Sequence, residues 1–309
     1  MFLGVDIGGT NLRVGVVQHH ALIHEQRALA DFSGLCARHP PDEAWRQIIA
    51  TTAATLRQCL MQYPQAKAVG IGFPGFIDPV HGTVAQSPNL PGLRNVDLAG
   101  DLSAAIGLPV VVENDALAAA YGEYVLCDPK PHSLLYAGLG TGVGGGMIYA
   151  GRPFTGEHGV AMEIGHLIVE PGGRLCGCGN HGCMEQYASA SGIAQSYHMA
   201  TGQRVEVNAI AQAAREGGQA AVEAFSLAGA ALAQALAHVV KSVDVGLIVI
   251  GGGVSQAWDL MAPAFFTRLE HDMIPVLRDR LRVQPSASGD RAGIIGAAAL
   301  AEIILASSS

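Results

Sequence analysis

Lysine is scarce in this sequence: Lys67, Lys130 and Lys241 are the only three among 309 residues. The arginines are scattered, and the formal net charge is −8. Neutralising a phosphate backbone takes clustered Lys and Arg, so no nucleic-acid partner is expected. Nor is there a polybasic segment to hold an anionic membrane surface. Long uninterrupted apolar runs are also missing. GIIGAAALAEIILA is shorter than the ~20 residues a membrane span needs, and the run Ala220 to Val240 carries Glu223, Gln234 and His238. Both are expected to be packed helices. The amino terminus, MFLGVDIGGT, lacks the positive stretch and the long apolar run of a signal peptide, so a cytoplasmic protein with reduced thiols is expected. No Gly/Ser-rich or charged linker divides the chain. A boundary is therefore expected as a hinge within continuous structure, near residues 114–120.

What is present points to a folded α/β protein. Half of the residues are hydrophobic and 14% are charged, and 309 residues suggest two domains. Strand-like and helix-like segments alternate. FLGVDI, NLRVGVVQ and ALIHEQRAL read as successive strands, and Trp45, Ile48, Ile49, Leu56 and Leu60 form one apolar stripe of a helix over residues 42–61. The strand AVGIGF precedes a Pro/Gly-rich loop over residues 74–92. A helix from Asp97, the strand PVVVE and the helix NDALAAAYGEYVL follow. A second round brings the strands HSLLYAGL and GGGMIYA, a cysteine-bearing loop, and helices from Glu185, Asn208 and Gly218. The strand GLIVIGGG, a helix from Ala257 and a last helix from about Ala292 complete it.

Three glycine turns carry the first chemical signal: VDIGGTNLRVGVV, AGLGTGVGGGMIY and LIVIGGGVS. Glycine lets backbone N–H groups approach an anion closely, and Thr10 and Thr141 add hydroxyl donors. Gly8 to Thr10 and Gly140 to Gly142 are thus candidate phosphate holders. Gly140, Gly142 and Gly145 match G-x-G-x-x-G, but a strand follows where the dinucleotide fingerprint needs a helix. No lysine follows any of these turns, which excludes a P-loop. Asp6 ends the first strand beside the turn; alone it would read as an ordinary turn aspartate, but beside GGT it reads as a carboxylate placed to hold Mg²⁺ or its waters.

Two further groups stand out. In ENDA, residues 113–116, Asn114 or Asp115 could simply cap the helix that starts there. A carboxylate in that place can also accept a proton from a substrate hydroxyl. Cys176, Cys178 and Cys183 supply three thiolates in the loop CGCGNHGC, one short of a closed zinc site. His166, ten residues upstream across the apolar strand LIV, is the best fourth ligand, and His181 is the runner-up. A zinc with three sulfurs and one imidazole has no open position and is structural. Glu163 and Glu185 flank the loop, where carboxylates suit sugar hydroxyls that both donate and accept.

DIGGT, NDA, EIGH, CGCGNHGC and GGGVS follow one another in the order that resembles the ROK family of bacterial sugar kinases and repressors, over essentially the whole chain. The resemblance implies an α/β fold of the actin-like ATPase (ribonuclease H-like) class, with two domains around a cleft, ATP–Mg²⁺ as phosphoryl donor, structural Zn²⁺, and a homodimer. Residues 1–116 with about 293–309 would form the smaller domain, and residues 117–292 a larger one bearing the zinc loop and a dimerisation surface. It further implies Asp115 as general base and Asn89, Asn114, Asp115, Glu163, His166 and Glu185 as sugar contacts, with His166 also on zinc. Gly8, Gly9, Thr10, Gly140, Thr141 and Gly142 would hold phosphates, with Gly252 and Gly253 near the adenosine and Asp6 indirectly on magnesium. Leu117 stands where many members have asparagine, and Met162 where glycine is usual.

Repressors that resemble this core carry an additional amino-terminal helix-turn-helix; here the first glycine motif begins at residue 4, and the charge is wrong for DNA. A zinc or redox module would leave Asp6, Asp115 and the glycine turns idle. The expected activity is therefore ATP-dependent phosphorylation of a hexose at O6. Glucose leads, and allose, fructose, mannose and N-acetylhexosamines are alternatives.

Overall fold

A computed structural model describes residues 1–9, 11–78, 81–87 and 90–307, the last without its side chain. The chain opens with β1 (Phe2–Ile7), β2 (Asn11–Gln18) and β3 (Ala21–Leu29), then α1 (Phe32–Arg38) and α2 (Pro41–Gln62). Next come β4 (Val69–Phe73), β5 (Phe76–Ile77), β6 (Val84–Gln86), β7 (Arg94–Val96) and α3 (Leu98–Ile106). β8 (Val110–Asn114) runs directly into α4 (Asp115–Leu126), followed by β9 (Ser133–Leu139), β10 (Val143–Tyr149) and β11 (Arg152–Pro153). Four helices follow: α5 (Glu185–Ala188), α6 (Ala190–Thr201), α7 (Val207–Arg215) and α8 (Gln219–Val243). The chain closes with β12 (Leu247–Gly251), α9 (Trp258–Asp272), α10 (Pro275–Arg278), β13 (Arg282–Pro285) and α11 (Arg291–Ser307).

Two compact units result. The first holds residues Met1–Pro131, Gly146–Ala161 and Asp290–Ser309; the second holds His132–Gly145 and Met162–Gly289. The chain passes between the units after residues 131, 145, 161 and 289, whereas borders at 116/117 and 292/293 were expected, so α4 falls in the first unit. The reason is the packing of α4 on α11. A Cβ on Gly296 would lie 1.8 Å from the Ala118 carbonyl oxygen, and one on Gly122 1.9 Å from that of Ala292. Backbone-to-backbone approach of this kind makes α4 and α11 one body.

In the first unit a five-stranded sheet has the order β3-β2-β1-β4-β8. The three successive strands β1, β2 and β3 pair antiparallel in chain order, while β1, β4 and β8 are parallel. Leu3, Val5 and Ile7 of β1 are fully buried, and α2 covers the sheet with Ala44, Ile48, Leu56 and Cys59. The segment read as a Pro/Gly-rich loop instead carries β5 and β6, which with β7 just beyond it form a small three-stranded sheet. Strands of two or three residues are too short to show a period, so sequence alternation cannot reveal them.

In the second unit β9, β12 and β13 pair in parallel. α8 is long and apolar enough to cross a membrane by length and composition, but it packs against α9 and 61% of its most apolar stretch is buried within the fold. The strand expected at LIV reduces to a single backbone bridge, Ile168 with Cys183.

Candidate active site and metal centre

The described candidate residues fall in both units. Asp6, Gly8, Gly9, Asn114 and Asp115 belong to the first; Gly140 to Gly142, Glu163, His166, the three loop cysteines, Glu185, Gly252 and Gly253 belong to the second. Thr10 and Asn89 lie outside the described residues.

Ligands of open parallel sheets gather beyond the carboxyl ends of the strands. The sheet register puts the first set there: Asp6 pairs with Gly72, and Gly72 with Glu113. Asn114 is the cap of α4. Its Oδ1 accepts from the N–H groups of Ala116 at 3.0 Å and Leu117 at 3.1 Å, and its Nδ2 donates to the Gly75 carbonyl at 3.1 Å. Capping therefore falls to Asn114. Asp115 takes the first helical position, with Oδ1 accepting the Ala116 N–H at 2.8 Å. Burial pushes the Asp115 carboxyl above the usual carboxylate range, against the pull of the Ala116 N–H.

Asp6 is pushed up to about 6, first by burial and then by the Asp115 charge; Arg13 opposes this, and Asp290 and Glu25 add to it. Arg13, only 8% exposed, organises the cluster. It donates to Glu25 Oε1 at 2.9 and 3.1 Å and to the Asp290 carbonyl at 2.8 Å, and its Nη1 stands 3.7 Å from Asp6 Oδ2. The sequence reading passes over Arg13, Glu113 and Asp290. A charged residue inside the apolar strand NLRVGVVQ was a usable signal for the first. Glu113 turns back to accept the Asn114 N–H at 2.8 Å, and burial pushes its carboxyl up to about 7. The turn after β1 is closed by Gly8, whose N–H donates to the Asn11 carbonyl at 2.8 Å, and by Gly9, whose carbonyl accepts the Ser33 N–H at 2.9 Å.

In the second unit, Gly138 of β9 pairs with Gly251 of β12, which sets the two following glycine turns side by side. Gly252 has φ +78°, and a Cβ on it would lie 2.4 Å from the Leu139 carbonyl oxygen, so only glycine fits. The turn Gly140–Gly142 is closed by the Gly140 N–H on the Gly142 carbonyl at 2.9 Å. It is also held from outside. Val143 donates its N–H to Glu185 Oε2 at 2.9 Å, and the carbonyls of Gly140 and Thr141 accept from the Ala190 N–H at 2.9 Å and Ser191 Oγ at 3.0 Å. One oxygen of Glu185 thus serves the glycine turn, a contact the sequence did not suggest.

The cysteine loop folds back on itself through the Cys176 N–H on the Asn180 carbonyl at 2.8 Å and the Gly182 N–H on the Arg174 carbonyl at 2.8 Å. His166 Nδ1 stands 3.6 Å from Cys176 Sγ, Cys178 Sγ stands 3.6 Å from Cys183 Sγ, and all four ligand atoms lie within 4.8 Å of one another. A tetrahedron with Zn–S of about 2.3 Å and Zn–N of about 2.0–2.1 Å has edges of roughly 3.8 Å between sulfurs and roughly 3.6 Å from sulfur to nitrogen. The donor set and its spacing fit zinc, with every position filled by protein. His181 is exposed and lies outside this group. With Nδ1 facing the thiolates, His166 keeps Nε2 for other partners, and it stands 3.8 Å from Glu163 Oε2. Met162, just before, has φ +63°, the left-handed conformation glycine adopts without strain. That explains why the resemblance places glycine there.

Residues 2–303 match the family described as the ROK family. The chain belongs to the ROK family. It is 34% identical over 318 residues to a glucokinase of Streptomyces coelicolor, covering 97% of this chain and 96% of that one. It is 31% identical over 315 residues to an N-acetyl-D-glucosamine kinase of Erwinia tasmaniensis, covering 97% of this chain and 99% of the relative. The crystal structure of a ROK family glucokinase from Streptomyces griseus in complex with glucose and AMPPNP superposes with TM-score 0.79 at 31% identity, over 98% of this chain and 99% of that one. The two α/β units and this likeness agree with the actin-like ATPase fold expected of a ROK family chain.

Proposed function

We propose that this chain is an ATP-dependent hexose kinase that transfers the γ-phosphate to a sugar hydroxyl, O6 of glucose first among the candidates. The observation that carries the mechanism is Asp115: a carboxyl at the start of α4, released from capping by Asn114 and raised by burial. A general base must reach the proton it takes, and Asp115, directly after the carboxyl end of β8, would be placed to accept it from a sugar hydroxyl. Asn89, Asn114, Glu163, His166 and Glu185 would orient the sugar by matching its paired donor and acceptor groups. Gly8, Gly9, Thr10, Gly140, Thr141 and Gly142 would hold the phosphates, with Gly252 and Gly253 beside the adenosine.

Asp6 feels the charges of Asp115, Asp290 and Glu25 against that of Arg13, an acidic surplus that suits a cation. Asp6 would hold Mg²⁺ through its waters; the bound ion neutralises charge on the transferring phosphoryl group. His166, Cys176, Cys178 and Cys183 would hold a structural Zn²⁺. Phosphoryl transfer asks mainly for positioning and charge stabilisation, which these residues would supply. A homodimer formed through the second unit and a cytoplasmic location complete the reading. The N-acetyl-D-glucosamine kinase relative favours N-acetylglucosamine as the second candidate.

The test is ADP release from ATP–Mg²⁺ across a panel of hexoses and N-acetylhexosamines, with the product position read by NMR. A strong response to one sugar with O6 phosphorylation is expected. No response to any sugar overturns the kinase reading, and a product phosphorylated at O1 overturns the position.

A further inference from the structure

We infer that the zinc loop sets the conformation of the Gly140–Gly142 turn through a chain of hydrogen bonds relayed by Arg174, Glu185 and Ser191. The inference rests on the proposed phosphate-holding role of that turn only for its consequence in nucleotide binding. The relay itself is geometric. Arg174 opens the cysteine loop, two residues before Cys176, and its own carbonyl accepts the Gly182 N–H at 2.8 Å. Its guanidinium leaves the loop and clamps the next two helices. Nη1 donates to the Gln186 carbonyl at 2.7 Å and to the Gly192 carbonyl at 3.1 Å, and Nη2 donates to Ser196 Oγ at 3.0 Å. The same group lies over the Tyr187 ring, 4.6 Å from its centroid. A rigid planar fork with five donors can reach three partners at separate, fixed points, where a lysine offers one compact ammonium.

The helices so clamped then grip the glycine turn at three points. Glu185 Oε2 takes the Val143 N–H at 2.9 Å, the Ala190 N–H reaches the Gly140 carbonyl at 2.9 Å, and Ser191 Oγ reaches the Thr141 carbonyl at 3.0 Å. Glu185 Oε1 also stands 4.0 Å from Cys176 Sγ, so the same side chain touches the ligand set and the turn. Glycine turns have little intrinsic preference for one backbone shape. External hydrogen bonds must supply it, and here all three come from the segment that directly follows the cysteine loop. Arg174, Glu185 and Ser191 are therefore positioning residues for the turn.

The experiment is hydrogen–deuterium exchange of the peptide spanning Leu139–Val143, together with the Kd of AMPPNP, on the zinc-loaded full chain, after zinc removal by chelator, and in three variants. Each hydrogen bond lost is expected to speed exchange of the turn roughly 2- to 10-fold. Zinc removal, Arg174→Ala and Glu185→Ala should each do so and weaken AMPPNP binding by a similar factor. Glu185→Gln keeps an acceptor for the Val143 N–H and should restore slow exchange. Zinc content is measured in every variant, so that Arg174→Ala and the Glu185 pair decide the matter in loaded protein even where the stripped chain unfolds. Unchanged exchange at Leu139–Val143 in Arg174→Ala and Glu185→Ala overturns the relay. Faster exchange in a protein that binds no nucleotide sinks the kinase reading and leaves the relay standing.

Discussion

Replacing Asp6 with asparagine should stabilise the fold while abolishing most turnover. The carboxyl rises from 3.8 to about 6 on folding, mainly through burial and the Asp115 charge. A folded pKa above the unfolded one means that the native state holds more protons between the two values. Stability linked to Asp6 is then full below about pH 4 and is lost as the pH climbs through about 6. At roughly 1.4 kcal/mol per pH unit, the ceiling on that loss is about 3 kcal/mol at neutral pH. The side chain is 32% exposed and Arg13 stands 3.7 Å away, so solvent screening brings the expected figure down to about 1–2 kcal/mol. Asparagine has the same shape and no charge to desolvate. Urea unfolding of both proteins should show Asp6→Asn more stable by that amount at pH 7.5. The difference should shrink to about 0.5 kcal/mol near pH 4. A gap that does not change with pH, or a variant less stable at pH 7.5 than the parent, refutes the charge-strain reasoning. The accompanying loss of turnover would place Asp6 among sites where function is kept at the expense of stability.

Other expected outcomes follow from the same geometry. Asp115→Asn should cut kcat by about 10²–10⁴ while leaving the sugar Kd within about threefold, and retained turnover would remove Asp115 from the role of base. Cys178→Ala should lose the single zinc per chain, measured by metal analysis; a variant still carrying one zinc refutes the ligand assignment. Gly252→Ala should cost about 1–3 kcal/mol, because it forces a side chain into a left-handed backbone and against the Leu139 carbonyl. A melting temperature equal to that of the parent would show that this turn can shift freely.

The sequence alone settled the parts whose chemistry is local. Cysteines at 176, 178 and 183 with His166 upstream are a short-range ligand pattern, and the structure brings all four within 4.8 Å. Strand β1 was legible as a short apolar run, helix α2 by its periodic apolar stripe, and the helix starting at Asp115 by the capping asparagine before it. Tertiary structure decided the rest. The charge on Asp6 depends on Arg13 across a strand pair and on Asp290, 284 residues away in the chain, which no local pattern encodes. The assignment of α4 to the first unit depends on glycines at 122 and 296 meeting backbone on the partner helix. Glu185 was read as a sugar contact from its place beside the cysteines, yet its bond to Val143 appears only when the loop has folded back upon the turn. A side chain's neighbours in sequence are fixed by covalent bonds, but its electrostatic and hydrogen-bond partners are fixed by packing, and packing is settled by the whole chain at once.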